Sequence, residues 1–206
     1  MQHLDPIGLS LEGCRDRQHV LREYLRSLKL QAALIVDQRH VHYLTGYWTR
    51  TVFAPTALVE CEGPTILVAP TAVENALASD ENRVSQAATF CTLVDDQTAA
   101  SLAALQDRIE ILDKLGCDGP LPPATSFAGK LTDLSPTLRA MRRCKDEDEL
   151  AFMRQIVQAT EAVYQFARET IRPGLSEIEL WSGMLRTASE CMGETLGEFG
   201  NDFQIG

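Results

Sequence analysis

Apolar residues in the first third of the chain recur first at helical spacing and then in short unbroken runs. From Arg15 to Leu28, Val20, Leu21, Tyr24, Leu25 and Leu28 share one face, which predicts a helix after a loose lead-in over Met1–Gly13. Ala32–Val36 is a short apolar run ending in β-branched residues and predicts a buried strand. Asp37–Gly46 predicts a turn and a short element closed by Gly46. Pro55–Val59 and Thr65–Ala69 predict two strands joined through a turn at Glu62-Gly63. Ala72–Ala78 is expected to be helical, Ala88–Val94 a strand, Thr98–Ile109 a helix with Leu102, Leu105 and Ile109 on one face, Lys114–Cys117 a strand closed by Asp118-Gly119-Pro120, and Ser126–Leu131 a short helix. Strands alternating with helices predict an α/β layer built on a mixed sheet flanked by helices.

The pattern changes near Ser135-Pro136, beyond which the chain reads as almost entirely helical. Asp146 and Glu149 have capping-box spacing and open a helix expected to reach about Ile171; Ser176 and Glu179 repeat the device after Pro173-Gly174 and open another, to about Met192. The first of these carries two adjacent apolar stripes, Leu150, Met153, Val157, Tyr164, Ala167 and Ile171 beside Phe152, Ile156, Val163 and Phe166, an arc wide enough to predict burial on several sides. Little remains in the sequence to cover them, so the end reads as cut within a second domain; the alternative is that the helices pack on the α/β layer and complete one small domain. The expected organisation is a lead-in over 1–14, an α/β domain over 15–140, and the start of a second domain over 141–206.

The chain has 206 residues and a formal net charge of −10, which argues against a nucleic-acid binder, since those carry a basic face. Its dense basic group, Arg139, Arg142, Arg143 and Lys145, runs straight into Asp146–Glu149 and reads as a solvated helix start. The six cysteines are widely separated, no signal peptide pattern opens the chain, and no apolar run is long enough to span a bilayer, so a cytoplasmic protein with reduced thiols and no membrane partner is expected.

Candidate chemistry is sparse. The histidines are His3, His19, His40 and His42, with none after residue 42. No cluster of carboxylates at ligand spacing accompanies His40 and His42, which read as surface histidines ahead of the Tyr43-Leu44-Thr45-Gly46 turn and not as metal ligands. No local pattern selects a nucleophilic cysteine. Gly193–Gly200 contains two carboxylates and does not follow a strand, so it does not fit a phosphate loop; Asp202 reads as a turn residue. Tyr47, Trp48, Arg50 and Phe53 follow the Gly46 turn in a stretch read as loop, and aromatic–Arg groupings of that kind suit a contact surface or a cover for the sheet edge.

Three of these segments together resemble a known family. Tyr43-Leu44-Thr45-Gly46 after the AALIV strand resembles a signature of the N-terminal domain of creatinase/prolidase-type proteins. Arg142-x-x-Lys145-x-x-x-Glu149-Leu150 with Met153-Arg154 resembles the opening of their second domain, and Pro173-Gly174-Leu175-Ser176-Glu177-x-Glu179-Leu180 the next helix junction. The resemblance implies an N-terminal α/β domain followed by the first helices of a pita-bread α+β catalytic domain. It implies homodimers acting on proline-containing peptides, with the N-terminal domain helping to shape the partner subunit's site; here Tyr47, Trp48 and Arg50 would be the substrate-binding candidates. Full-length relatives hold two divalent metal ions (manganese, cobalt or zinc) on Asp, His and Glu residues that come later in the family's order than Met192. No catalytic residue and no metal ligand can be carried over onto this chain. The expected function is therefore the dimerisation and substrate-shaping part of an Xaa-Pro metallopeptidase, not catalytic alone; the alternatives are a stand-alone binding protein or part of a creatine-type amidinohydrolase.

Overall fold

The computed structural model describes residues 8–48, 55–69, 73, 78–85, 94–121 and 127–194. The described residues divide into two compact units, Leu9–Lys145 and a second one of residue 8 with 146–194.

The first unit is a mixed sheet flanked by helices. Ser10 caps α1 (Leu11–Ser27), its side chain accepting from the Gly13 N–H, so the helix begins inside the stretch expected to be a loose lead-in. Six strands follow: β1 (Ala32–Ile35), β2 (Thr56–Glu60), β3 (Thr65–Ala69), β4 (Glu81–Val84), β5 (Lys114–Cys117) and β6 (Lys130–Asp133). They lie in the order β4-β3-β2-β1-β5-β6. β2 is antiparallel to both β1 and β3, whereas the β1–β5, β3–β4 and β5–β6 pairs are parallel.

β1 is central and wholly buried because both of its faces are covered. Ala33 and Ile35 pack with Leu21 and Leu25 of α1, with Val41 and Leu44 of α2 (Gln38–Thr45), and with Leu138 of α5 (Ser135–Arg143). Ala32 and Leu34 pack on the opposite face with Leu102 of α3 (Val94–Ala103) and Ile109 of α4 (Gln106–Ile109). The alternation of side chains along one strand thus builds two cores.

Two elements differ from the sequence reading. The helix expected over Ser126–Leu131 is replaced by β6: the Lys130 N–H donates to the Asp113 carbonyl at 2.8 Å and the Leu134 N–H to the Cys117 carbonyl at 2.8 Å, which locks the segment alongside β5. Lys-Leu-Thr-Asp has too little apolar period to announce a strand, and pairing decides it. β4, Glu-Asn-Arg-Val, is likewise polar and was not expected; it is held by its ladder to β3 and by Arg83, whose Nε sits 2.6 Å from Glu81. The helix expected over Ala72–Ala78 and the strand expected over Ala88–Val94 fall almost entirely outside the described residues; Val94 itself opens α3.

The second unit contains α6 (Glu147–Thr170) and α7 (Glu177–Met192), each opened by the capping box expected from its sequence, Asp146/Glu149 and Ser176/Glu179. The two helices pack through Val163, Ala167, Leu180, Met184 and Ala188, with Phe166 alongside. Gly183 makes the close approach possible: a Cβ there would lie 2.3 Å from the Phe166 ring. Leu150, Met153, Ile156, Val157 and Tyr164 of α6 are exposed, so among the described residues much of its wide apolar arc is uncovered, in keeping with a sequence that offers little to cover it.

Candidate functional site

The stretch singled out in the sequence follows α2, so the site is built from the anchoring of that helix. Asp37 caps α2, its carboxylate accepting from the Arg39 N–H at 2.9 Å. At the other end Gly46 takes the left-handed conformation (φ 72°) that glycine adopts without penalty, and its N–H donates to the His42 carbonyl at 2.8 Å. Two buried polar side chains of α1 fasten the helix from the side. Arg17, 2% exposed, donates to the Tyr43 carbonyl at 3.2 Å and sets its guanidinium 4.8 Å from the centre of the Tyr43 ring. Gln18 donates to the carbonyls of Leu44 (2.8 Å) and Ala78 (2.6 Å) and accepts from the Thr65 hydroxyl at 2.8 Å. Four elements of chain are thereby tied at one point.

A third anchor lies at the carboxyl ends of the parallel strands β1 and β5. Asp118 is fully buried, and its carboxylate accepts from the Val36 N–H at 2.7 Å and from the Asp37 N–H at 3.3 Å. His40, 3% exposed, places Nδ1 2.8 Å from the same carboxylate, while its Nε2 is buried with no hydrogen-bond partner. The reading of His40 and His42 as surface histidines is therefore overturned: α2 is amphipathic and turns both imidazoles toward the protein. Asp118 had been read only as part of a closing turn, and no local signal marks it, because its partners lie about eighty residues away in sequence.

This rigid frame presents the aromatic pair. Tyr47 is half-buried, packs against the core that includes Leu44 and Leu138, and donates its N–H to the Thr45 hydroxyl at 3.1 Å. Trp48 is 54% exposed and meets His42 edge-on, with ring centres 5.4 Å apart and planes at 75°. Arg50 and Phe53, the other members of the sequence-based grouping, lie outside the described residues. His42 is a neighbour that the sequence did not associate with this loop, and the charges of Arg17 on α1 and Arg142 on α5 act on its ring. Burial pushes the His42 pKa below the ordinary histidine value; the backbone of Tyr47 and Gly46 offsets part of the effect, and the charges of Arg17 and Arg142 add to it. The result is an exposed indole backed by a neutral imidazole, with positive charge nearby. Such a surface suits contact with an apolar or ring-shaped group.

A cavity of about 390 Å³ opens at the carboxyl ends of β5 and β6, lined by Cys117, Leu121, Leu131, Asp133 and Ser135 among others. Three of its polar side chains are engaged within the protein. The Cys117 thiol donates to the Gly119 carbonyl at 3.1 Å, the Ser135 hydroxyl donates to the Asp118 carbonyl at 2.8 Å, and Asp133 accepts from the Ser135 N–H at 2.8 Å. Burial pushes the Cys117 thiol up to about 11, so it is protonated at neutral pH and is not a nucleophile there. Cys14, Cys61, Cys117, Cys144 and Cys191 are all free thiols. Among the described residues no three His, Cys, Asp or Glu side chains converge so as to hold a metal ion. No helix is long and apolar enough to cross a membrane among the described residues.

Residues 17–144 match the family described as Creatinase/Prolidase N-terminal domain. No curated protein matches the chain in sequence. Among solved structures, the prolidase from Pyrococcus horikoshii OT3 superimposes with a TM-score of 0.61 at 17% identity, covering 85% of this chain and 48% of that one. The X-Pro aminopeptidase from Thermotoga maritima MSB8 gives a TM-score of 0.62 at 17% identity, covering 85% of this chain and 49% of that one. The Xaa-Pro dipeptidase from Bacillus anthracis gives 0.55 at 17% identity, covering 86% and 49%. At these identities the likeness concerns the fold, and the chain spans about half the length of each of these three structures.

Proposed function

Since the chain belongs to the creatinase/prolidase N-terminal domain family, we propose that it forms the substrate-shaping, non-catalytic part of a proline-specific hydrolase that works as a cytoplasmic homodimer, with Tyr47, Trp48 and Arg50 bordering the partner subunit's site for an Xaa-Pro peptide. The observation that carries this reading is the exposed Trp48, held on a frame far more rigid than a loop cover needs. Arg17, Gln18 and Asp118 all fix α2, and α2 fixes the loop. An indole presented in this way offers a flat apolar surface to a proline ring at small entropic cost, because few bonds remain to be ordered. The metals that would activate water belong, in this reading, to residues of the catalytic half and not to this chain.

The 206-residue chain, purified and supplied with manganese, is expected to leave an Xaa-Pro dipeptide uncleaved; metal-dependent cleavage that co-purifies with the chain would refute the non-catalytic assignment. Joined to its catalytic half, the Trp48→Ala and Arg50→Ala variants are each expected to lose roughly tenfold in kcat/KM, the equivalent of about 1.4 kcal/mol, with unchanged thermal unfolding. Wild-type kinetics in both variants would reduce the loop to a structural cover.

A further inference from the structure

In α6 of the second unit, Leu150, Met153, Val157, Thr160 and Tyr164 recur in alternating steps of three and four, the spacing of a coiled-coil seam. All five are exposed, Val157 by 55% and Tyr164 by 62%. Thr160 fits such a seam because its hydroxyl already donates to the Ile156 carbonyl at 2.8 Å, which leaves its methyl group to make contacts. α7 does not fill the seam, since it packs on Val163, Phe166 and Ala167 at one flank. On the other flank, Glu147, Arg154, Glu161 and Arg168 recur every seventh residue with alternating sign. All four are exposed, and none has an ion-pair partner among the described residues. We infer that the seam is filled by α6 of a second copy of this chain, running antiparallel about a two-fold axis, with the charged column pairing against itself.

The charges select both the partner and the register. In an antiparallel pair related by a two-fold axis, the charged flank of one helix meets the same flank of the other. Full overlap of the seam sets Leu150 against Ala167 of the second copy, Met153 against Tyr164 and Val157 against Thr160, each contact occurring twice. That register brings Glu147 to Arg168 and Arg154 to Glu161, again twice each, so every pair is of opposite sign. A slip of one heptad sets Arg154 against itself and Glu147 against Glu161 in one direction, or Arg154 against Arg168 and Glu161 against itself in the other. Both slipped registers are therefore repelled. A parallel pair would set Arg154, Glu161 and Arg168 beside Glu149, Ile156 and Val163. Glu149 is committed to the capping box of α6 and the other two are apolar, so the column would lose its partners. The apolar side chains of the seam expose on the order of 400 Å² per copy, enough to mark an interaction site but about half of a standard interface. A dissociation constant in the micromolar range follows.

Sedimentation equilibrium of the 206-residue chain, from about 1 to 200 µM, tests the pairing. The expected result is a monomer–dimer equilibrium, with Val157→Glu monomeric throughout. Arg154→Glu turns two attractions into two repulsions and is expected to weaken dimerisation roughly tenfold. Adding Glu161→Arg restores the complementarity, and the double variant is expected to return to within about threefold of the unaltered chain. Glu161→Arg alone reaches the same double variant from the other side, should Arg154→Glu fold poorly. All three positions are exposed, so the helix content seen by far-UV circular dichroism is expected to stay constant. A chain that is monomeric at about 200 µM would leave the seam to another occupant, such as the catalytic half, and would overturn the proposal. So would a dimer that neither charge reversal weakens, or one that the double variant fails to restore. No readout uses Trp48 or peptidase activity, so this pairing and the substrate-shaping reading can fail separately.

Discussion

Asp118→Ala destabilises the first unit by about 3–5 kcal/mol, the range for breaking a buried charged network on one side. Three donors converge on this carboxylate: the N–H groups of Val36 and Asp37 and the Nδ1 of His40, all in a setting where the Asp118 side chain has no solvent exposure. Truncation leaves the buried His40 Nδ1 and the partly buried N–H groups of Val36 and Asp37 without this acceptor, at about 1–3 kcal/mol for a buried orphan and less where water reaches the group. The damage is local in cause and wide in effect, because these donors sit at the end of β1 and the start of α2, and α2 positions Tyr47 and Trp48. Asp118→Asn keeps one carbonyl acceptor and is expected to lose about half as much. Urea unfolding read through hydrogen exchange of the Ala32–Ile35 amides measures the first unit without contribution from α6 and α7. A loss under about 1 kcal/mol in Asp118→Ala would mean that the network is already hydrated and holds nothing together.

The second large effect is steric. Gly116 lies in β5 between β1 and β6, and a Cβ built there would meet the Leu134 side chain at 2.4, 2.7 and 3.1 Å. Leu134 is fully buried in the core beneath α1, α2 and α5, in the same cluster as Leu138 and Ala33, and has little room to step aside. Gly116→Val therefore forces β5 away from its neighbours and is expected to cost about 2–3 kcal/mol, the upper part of the usual overpacking range. Leu134→Ala alone leaves a cavity and costs about 2–5 kcal/mol. Combined, the two changes relieve each other, and the double variant is expected to be more stable than the sum of the singles by at least about 1 kcal/mol. Strict additivity in that cycle would show that Gly116 is not needed for the approach of Leu134.

What the sequence determined by itself is whatever rests on local physics. The capping boxes at Asp146/Glu149 and Ser176/Glu179 marked the starts of α6 and α7, because a side chain three residues away satisfies the orphan N–H groups. The continuous apolar runs at Ala32–Val36 and Thr65–Ala69 announced strands covered on both faces. Tyr43–Gly46 and the later junctions carried the resemblance to the family. Tertiary structure alone decided the rest. β4 and β6 are polar, and only pairing with β3 and β5 makes them strands. His40 and His42 looked like surface residues because their environment is composed of distant chain: Asp118 for one, Arg17 and Arg142 for the other. Burial and charge at a side chain are sums over neighbours in space, and those neighbours lie between 25 and 100 residues away along the chain. That distance is why the anchoring and the electrostatics of this site could be read only once the fold was in hand.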